Sequence, residues 1–519
     1  MKNNILKKVL MMCIIIFFIS SGFVSGYQSD NNNGYLSNYI DNNHEYKIIE
    51  NRYDHKNIFS NDYPVMKNPI SIRKSGGDDN RFTVELINTP AEFSWTEVDG
   101  KDWTTRTKNQ GNCGSCWLFA AMGAFESVIK IRENCPELNP DLSEQYVLSC
   151  LPSAGSCNGG NVNKCVYYYI KNTSAAGNYK NGIITENSFL YQSSFDFIPQ
   201  CSDKTQNWED YLIPILEYEE SWTYANVPEL RDTIKSLIFQ KGPIMVYFWA
   251  SDRFINWGAV NKDPSDYYPD NDEDCPNFVN HGITIVGWKD DPSIKNGGYW
   301  ICKNTWGPNW GYKGFFNIEY DCMNVGGFIA WVDYNPDSYD WPPVADAGDF
   351  YYGEIDQEII LDGSRSIDSE GEIISYQWDF SDGTSGNGIK ISHVYSEKGV
   401  YPTSLTVTDS SGQETTHTTL VGIDEEPLKV EISGGIGMEI TFNNPVDVEM
   451  SDWEYNVDIS GLVIPNRISG IYESISGDSR IVTTISLIGI GFGSINVLIE
   501  KFSKTTNFFS FGPIIILFD

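Results

Sequence analysis

Gln110-Gly111-Asn112-Cys113-Gly114-Ser115-Cys116-Trp117 is the stretch on which the reading of this chain turns. Behind it Leu118, Ala121, Met122, Phe125, Val128 and Ile129 recur at three- and four-residue spacing. That period predicts a mostly buried helix, ended by Cys135-Pro136. Cys116 then sits at the helix N-terminus, where unpaired backbone N–H groups and the positive end of the dipole favour an anion. A thiolate is such an anion, and it is the reactive form of cysteine. A single cysteine in an exported chain is more commonly a disulfide partner, so the placement of Cys116 matters more than its identity.

A nucleophilic thiolate needs an imidazole and a group to orient it. The five histidines are His44, His55, His281, His393 and His417. Of these, His281 alone lies within the cysteine-rich region, opening the apolar run Gly282-Ile283-Thr284-Ile285-Val286-Gly287-Trp288. A histidine at the mouth of a strand can face a cleft. Asn304 follows the apolar strand Tyr299–Lys303, and its side-chain oxygen can accept from an imidazole and fix the tautomer. Trp306, two residues on, can shield that bond from water. Taken singly, His281 reads as a packed core residue; taken with Gln110, Cys116 and Asn304 it reads as a member of a set.

That set resembles the papain family of cysteine peptidases. Further marks follow in order: Leu142-Ser143-Glu144-Gln145 with Cys150, Cys157-Asn158-Gly159-Gly160, Gly242-Pro243-Ile244, and Trp306-Gly307 through Trp310-Gly311. The likeness covers about residues 91–335. It implies an α+β fold of two lobes, helical and β-barrel, with Cys116 from one and His281 from the other. It also implies that Cys116 and His281 are the nucleophile and the acid–base group, and that Asn304 orients the ring. The Gln110 amide and the Cys116 N–H would bind the oxyanion. Gly159, Gly160, Asn280 and Trp306 would line the substrate site. By the same resemblance Cys113–Cys157 and Cys150–Cys201 are disulfides. Cys275–Cys322 is expected as a third bridge, Cys135–Cys165 as an addition, and Cys302 as a reduced thiol. Two departures stand out. The leader, residues 27–90, lacks the long charged helical pattern of the family's inhibitory segments, and Asn161-Val162 replaces an aromatic residue after the glycine pair.

Outside this region the chain changes character. Of 11 cysteines, Cys13 lies in an apolar N-terminal run and the other ten fall between Cys113 and Cys322. The run Val9–Ile19 follows Lys2, Lys7 and Lys8 and precedes Val24-Ser25-Gly26, so residues 1–26 read as a secretory signal and the product as secreted or cell-surface. Asn335-Pro336 and Trp341-Pro342-Pro343 mark a linker, and Glu425-Glu426-Pro427 a second. Residues 341–424 and 428–519 show short strands between Gly/Asp/Ser turns, which predicts two all-β sandwiches. The former resembles a PKD-type domain through Pro343–Gly348, Leu361–Ser364, Trp378–Gly383 and His393-Val394-Tyr395. The latter carries no recognised motif, and Phe508–Phe518 in it reads as a strand. Such β-domains imply spacing, adhesion or contact with a cell envelope or extracellular polymer, tethered by linkers with modest inter-domain contact.

The charge balance is 36 − 70 = −34. A field of that sign repels phosphate backbones, so nucleic acid is not an expected partner. The alternating acids Asp270-Asn271-Asp272-Glu273-Asp274 lack the turn glycine of a known calcium loop and read as a solvated segment. No cofactor or metal is expected. The expected partners are protein or peptide substrates, met by a monomer. The competing reading is a surface adhesion or binding protein with a non-catalytic peptidase-like domain.

Overall fold

The structure is a computed structural model. It describes residues 70–73, 81–84 and 86–518, with breaks at 162, 173–181, 223–227, 260–261, 271–278 and between the strands after 425. Beyond 425 it describes the backbone. The signal segment and most of the leader lie outside the described residues. Within the leader, Ile70–Arg73 pairs antiparallel with Arg81–Val84.

The helix Cys116–Arg132 is the axis of the cysteine-rich domain, and every side chain from Trp117 to Ile131 is buried. A helix apolar on all sides belongs in a core. Its two buried charged residues have partners: Glu126 accepts from Leu142 N at 3.0 Å and Thr105 Oγ1 at 2.6 Å, and Lys130 donates to Thr104 O at 2.6 Å. The helix stops at Arg132, earlier than Cys135-Pro136, because Asn134 adopts a left-handed conformation (φ 52°). The Cys135 N–H then closes onto Lys130 O at 3.0 Å. Helices Glu144–Cys150 and Val166–Asn172 complete this lobe. Ser143 caps the former, accepting from Tyr146 N at 3.1 Å.

The second lobe is an eight-stranded sheet. Its path runs Glu217–Trp222, Phe328–Asp333, Ile244–Phe248, His281–Asp290, Gly298–Lys303, Phe315–Glu319, Tyr267–Tyr268, and Glu92–Ser94 joins it off the path against His281–Asp290. The pair Phe315–Glu319 with Tyr267–Tyr268 is parallel and the others are antiparallel. The strand His281–Asp290 is buried for its first eight residues, as expected of a strand covered on both faces. It crosses the first turns of the central helix, where Thr284 Oγ1 donates to Ala120 O at 2.8 Å.

Two disulfides, Cys113–Cys157 and Cys150–Cys201, staple the helical lobe. Cys135 and Cys165 are separate buried thiols, which corrects the expected bridge between them. The central helix holds them apart. Tyr167, two residues from Cys165, donates to Ala121 O near the start of that helix, whereas Cys135 lies beyond its far end. From Ala121 to Arg132 the rise is about 16 Å, well past disulfide reach. Cys302 is a buried thiol. Cys275 lies outside the described residues.

The following domain packs a five-stranded sheet, Tyr351–Gly353, Glu414–Ile423, Gly399–Asp409, Ile373–Asp379, Ser385–Asn387, with the pair Glu358–Asp362 and Lys390–Val394. Leu361, Trp378, Tyr395, Leu405 and Val407 fill its core. Trp378 is packed there and donates to Gly388 O at 3.0 Å. The last domain has sheets of three and five strands. Its C-terminal stretch pairs Phe502–Gly512 antiparallel with Ile514–Phe518, two strands where the apolar pattern predicted one, with Phe511 opposite Ile514.

The segment between the first two domains is not a loose tether. Trp341 is 4% exposed and belongs to the core cluster of the cysteine-rich domain. Its indole donates to Tyr334 Oη at 3.1 Å, and its ring meets Tyr339 edge-on. Val344 and Ile367 of the β-domain pack on the same cluster. Gln413 donates to Asp340 O at 2.9 Å and Glu370 accepts from Trp341 N at 3.1 Å. Proline-rich composition predicted modest contact; the aromatic residues between the prolines reverse that. Replacing a buried tryptophan with alanine costs about 3–5 kcal/mol. Trp341→Ala is therefore expected to lower the unfolding midpoint of the cysteine-rich domain by several degrees in a thermal scan. An unchanged midpoint would show the junction to be dispensable.

Candidate active site

The site forms where the strand mouth at His281 meets the helix start at Cys116. Gly282 makes this meeting close: a Cβ there would stand 3.0 Å from Cys116 O and 3.1 Å from Trp117 Cα. Cys116 is partly exposed, and His281 and Asn304 are buried. His281 Nε2 and Asn304 Oδ1 are 2.9 Å apart. The amide oxygen can only accept, so Nε2 carries the proton and Nδ1 is left for a second partner. The same Oδ1 accepts from Thr305 N at 2.8 Å, which fixes the amide's orientation. Trp306 stacks on the imidazole, centroids 4.4 Å apart, and Phe248 approaches it edge-on at 5.6 Å. These rings keep water from the His281–Asn304 bond.

Burial acts against both charges of a thiolate–imidazolium pair. It pushes the His281 imidazole down to about 4, with the Asn304 hydrogen bond opposing. It pushes the Cys116 thiol up, opposed by backbone hydrogen bonds from Gly282, Trp117 and Cys116. A thiolate and an imidazolium formed together in so low a dielectric would attract one another, which opposes the burial of each. The helix start adds to this. Ser115 stands at the N-cap but makes no capping bond, and no acidic residue lies in the first turn. The N–H groups of Cys116 and Trp117 are thus left for an anion.

Gln110 is held at every polar atom. Its Nε2 donates to Cys113 O at 2.8 Å, its Oε1 accepts from Thr305 Oγ1 at 2.5 Å, and its N donates to Thr305 O at 2.9 Å. An amide nitrogen has two hydrogens, so one N–H of Gln110 is uncommitted. Thr305 was not singled out by sequence; its place after Asn304 was the one available signal.

The remaining candidates divide. Gly159 and Gly160 form a short strand against Gly155–Ser156. Gly159 has φ +123° and open space at its Cβ position, whereas a Cβ on Gly160 would meet Trp117 Cγ at 2.8 Å. Gly160 is therefore required by packing and Gly159 by conformation. Gly114 is required too, since a Cβ there would stand 2.4 Å from Cys157 O. The Asn280 side chain is committed to Ala250, accepting from its N at 2.6 Å and donating to its O at 3.0 Å. It braces that loop. Asp270 pairs with Lys295 at 2.9 Å, and 271–274 lie outside the described residues.

The family model "Papain family cysteine protease" matches residues 89–330, and a PKD-domain model matches 340–423. Macrodontain-1 of Ananas macrodontes is 30% identical over 44% of this chain and 91% of its own length. A cathepsin L-like protein of Caenorhabditis elegans is 30% identical over 48% of this chain, which spans 64% of that relative. Among solved structures, procathepsin L2 proteinase from Tenebrio molitor larval midgut is 27% identical over 47% of this chain and 69% of its own, with TM-score 0.36. The chain belongs to the papain family of cysteine proteases, and a PKD domain follows its protease domain.

The Asn304 hydrogen bond raises the His281 pKa against the effect of burial. Asn304→Ala is expected to weaken the imidazolium and move the alkaline limb of the pH–activity profile to lower pH. Assays of peptide turnover across pH check this, and an unmoved alkaline limb would contradict it.

Proposed function

We propose that the chain is a secreted cysteine endopeptidase working through Cys116, His281 and Asn304. The observation that carries this is the His281–Asn304 hydrogen bond, closed under Trp306 at the point where the strand meets the Cys116 helix start. Asn304 fixes the Nε2–H tautomer and so leaves Nδ1 to exchange a proton with the thiol. The Cys116 thiolate attacks a peptide carbonyl carbon, and the carbonyl oxygen becomes the oxyanion. The free Gln110 N–H and the Cys116 backbone N–H donate to it. One such donor is typically worth about 3 kcal/mol of barrier. The imidazolium of His281 gives its proton to the leaving amine, and the C–N bond breaks to leave a thioester. His281 then takes a proton from water, hydroxide adds to the thioester, and the thiolate departs.

The strand Gly159–Gly160 supports a role in binding extended peptide, because its backbone edge carries no side chain. Two disulfides and the N-terminal apolar run support export. Among the described residues no helix is long and apolar enough to cross a membrane. The β-domains serve as platforms for large substrates or surfaces, and the packed Trp341 junction gives the first of them a fixed seat on the protease domain.

A thiol-reactive epoxide is expected to label Cys116, detected by peptide mass spectrometry, with matching loss of turnover. Cys116→Ala and His281→Ala should each abolish hydrolysis of a short fluorogenic peptide. Asn304→Ala should lose less, because it orients and does not transfer protons. Folded wild-type chain that neither labels nor cleaves would favour a binding protein with a silent protease domain.

A further inference from the structure

The segment Leu190–Phe197 runs beside the nucleophile loop and has no part in the mechanism above. Its place is fixed from several sides. Gln192 N and Ser193 Oγ donate to Gln145 Oε1 at 2.9 and 3.0 Å. Ser194 and Phe197 close a tight turn with paired backbone bonds of 2.8 and 3.1 Å. Tyr191 N donates to the Glu186 carboxylate. Its ring meets Phe119 of the central helix edge-on, centroids 4.9 Å apart.

The Tyr191 hydroxyl donates to Gln110 O at 2.9 Å and lies 3.1 Å from Ser115 Oγ. Since its hydrogen goes to Gln110 O, its oxygen is free to accept from Ser115. One phenol thus ties the backbone of the Gln110 loop to the residue before Cys116. The loop between them is a tight reversal, with Gly111 at φ +59° and Cys113 N bonded to Gln110 O at 3.4 Å, a long contact. The second bond, to Ser115, has its own effect. A serine at this position ordinarily caps the helix by accepting from a first-turn N–H. Here the Ser115 hydroxyl is turned to Tyr191 and to Cys113 O at 3.4 Å, and no capping bond forms. Leu118 N donates instead to the Ser115 carbonyl at 2.9 Å, and the N–H groups of Cys116 and Trp117 are left to the Cys116 sulfur. Burial pushes the Tyr191 phenol up to about 12, against the Ser115 hydrogen bond, so it keeps its proton across neutral pH.

We propose that Tyr191 is a positioning residue for the oxyanion site, setting the Gln110 amide against the Cys116 N–H and holding the Ser115 hydroxyl away from the helix start. The inference rests on the catalytic reading given above. Tyr191 touches neither the thiol nor the imidazole, so its loss should spare the nucleophile and impair stabilisation of the oxyanion.

Two reagents separate these effects. Iodoacetamide alkylates the thiolate by displacing iodide from carbon and needs no oxyanion donor. A peptide aldehyde adds the Cys116 sulfur to its carbonyl carbon; the carbonyl oxygen takes up the proton lost by the thiol and lies where the oxyanion would. In Tyr191→Phe, which keeps the ring on Phe119, alkylation of Cys116 should stay within about twofold of wild type. Aldehyde affinity and kcat should each fall about tenfold or more, with KM within about twofold. Ser115→Ala should show the same split to a smaller degree. Aldehyde affinity and kcat within twofold of wild type would overturn the proposal. So would a parallel fall in alkylation, which would make Tyr191 a support of the thiol or of the fold at large. A wild-type Cys116 that reacts with neither reagent would overturn the catalytic reading, and this inference with it.

Discussion

The contact between Gly282 and the first turn of the central helix is the constraint on which the site depends. Any larger residue would push strand and helix apart, since its Cβ would meet backbone on both Cys116 and Trp117. The strand cannot yield easily, because it is hydrogen-bonded on both edges and carries Glu92–Ser94 along one of them. Nor can the helix, which is buried on every face. Two rigid elements meeting at a glycine thus bring together residues 165 positions apart in sequence, Cys116 and His281.

A network of buried charges lies behind the site. Lys108 lies 2.7 Å from Glu126, 2.6 Å from Asp141 and 3.2 Å from Glu144, and is largely withdrawn from water. Burial and the neighbouring carboxylates push Glu144 up to about 8 despite Lys108. Lys303, the residue before Asn304, donates to Thr105 at 2.7 Å, and burial pushes it down to about 8. Such networks are costly to bury and costly to break, because removing one member leaves the others uncompensated. Through Thr105, which joins Lys303 to Glu126, they tie the helical lobe to the end of the strand that Asn304 follows. Order at the site is therefore maintained from behind by charge and from the front by the Trp306 stack.

Much of this architecture was legible in the chain. The helix at Cys116 showed in its apolar period, and the strand at His281 in an unbroken apolar run bounded by a polar residue. Turn-rich composition after residue 341 announced the β-domains. Contacts between distant positions stayed hidden. Thr305 holds Gln110 across 195 residues and Tyr191 holds it across 81; hydroxyl residues in such places look like any others. The Cys135–Cys165 pairing failed for the same reason, since counting cysteines says nothing about a helix lying between two of them. Trp341 was masked by the prolines beside it. Composition identified a linker, while burial of one indole turned it into part of a core.

The central claim is that Cys116 and His281 ionise together although burial disfavours each charge alone. The pH dependence of Cys116 alkylation by iodoacetamide tests it most directly, in wild type and in His281→Ala. A thiolate held by an imidazolium should keep the wild-type rate high far below the ordinary thiol range near 8.5. In His281→Ala the rate should instead rise once, at or above that range. Identical profiles in the two chains, both rising as an ordinary thiol ionises, would contradict the account.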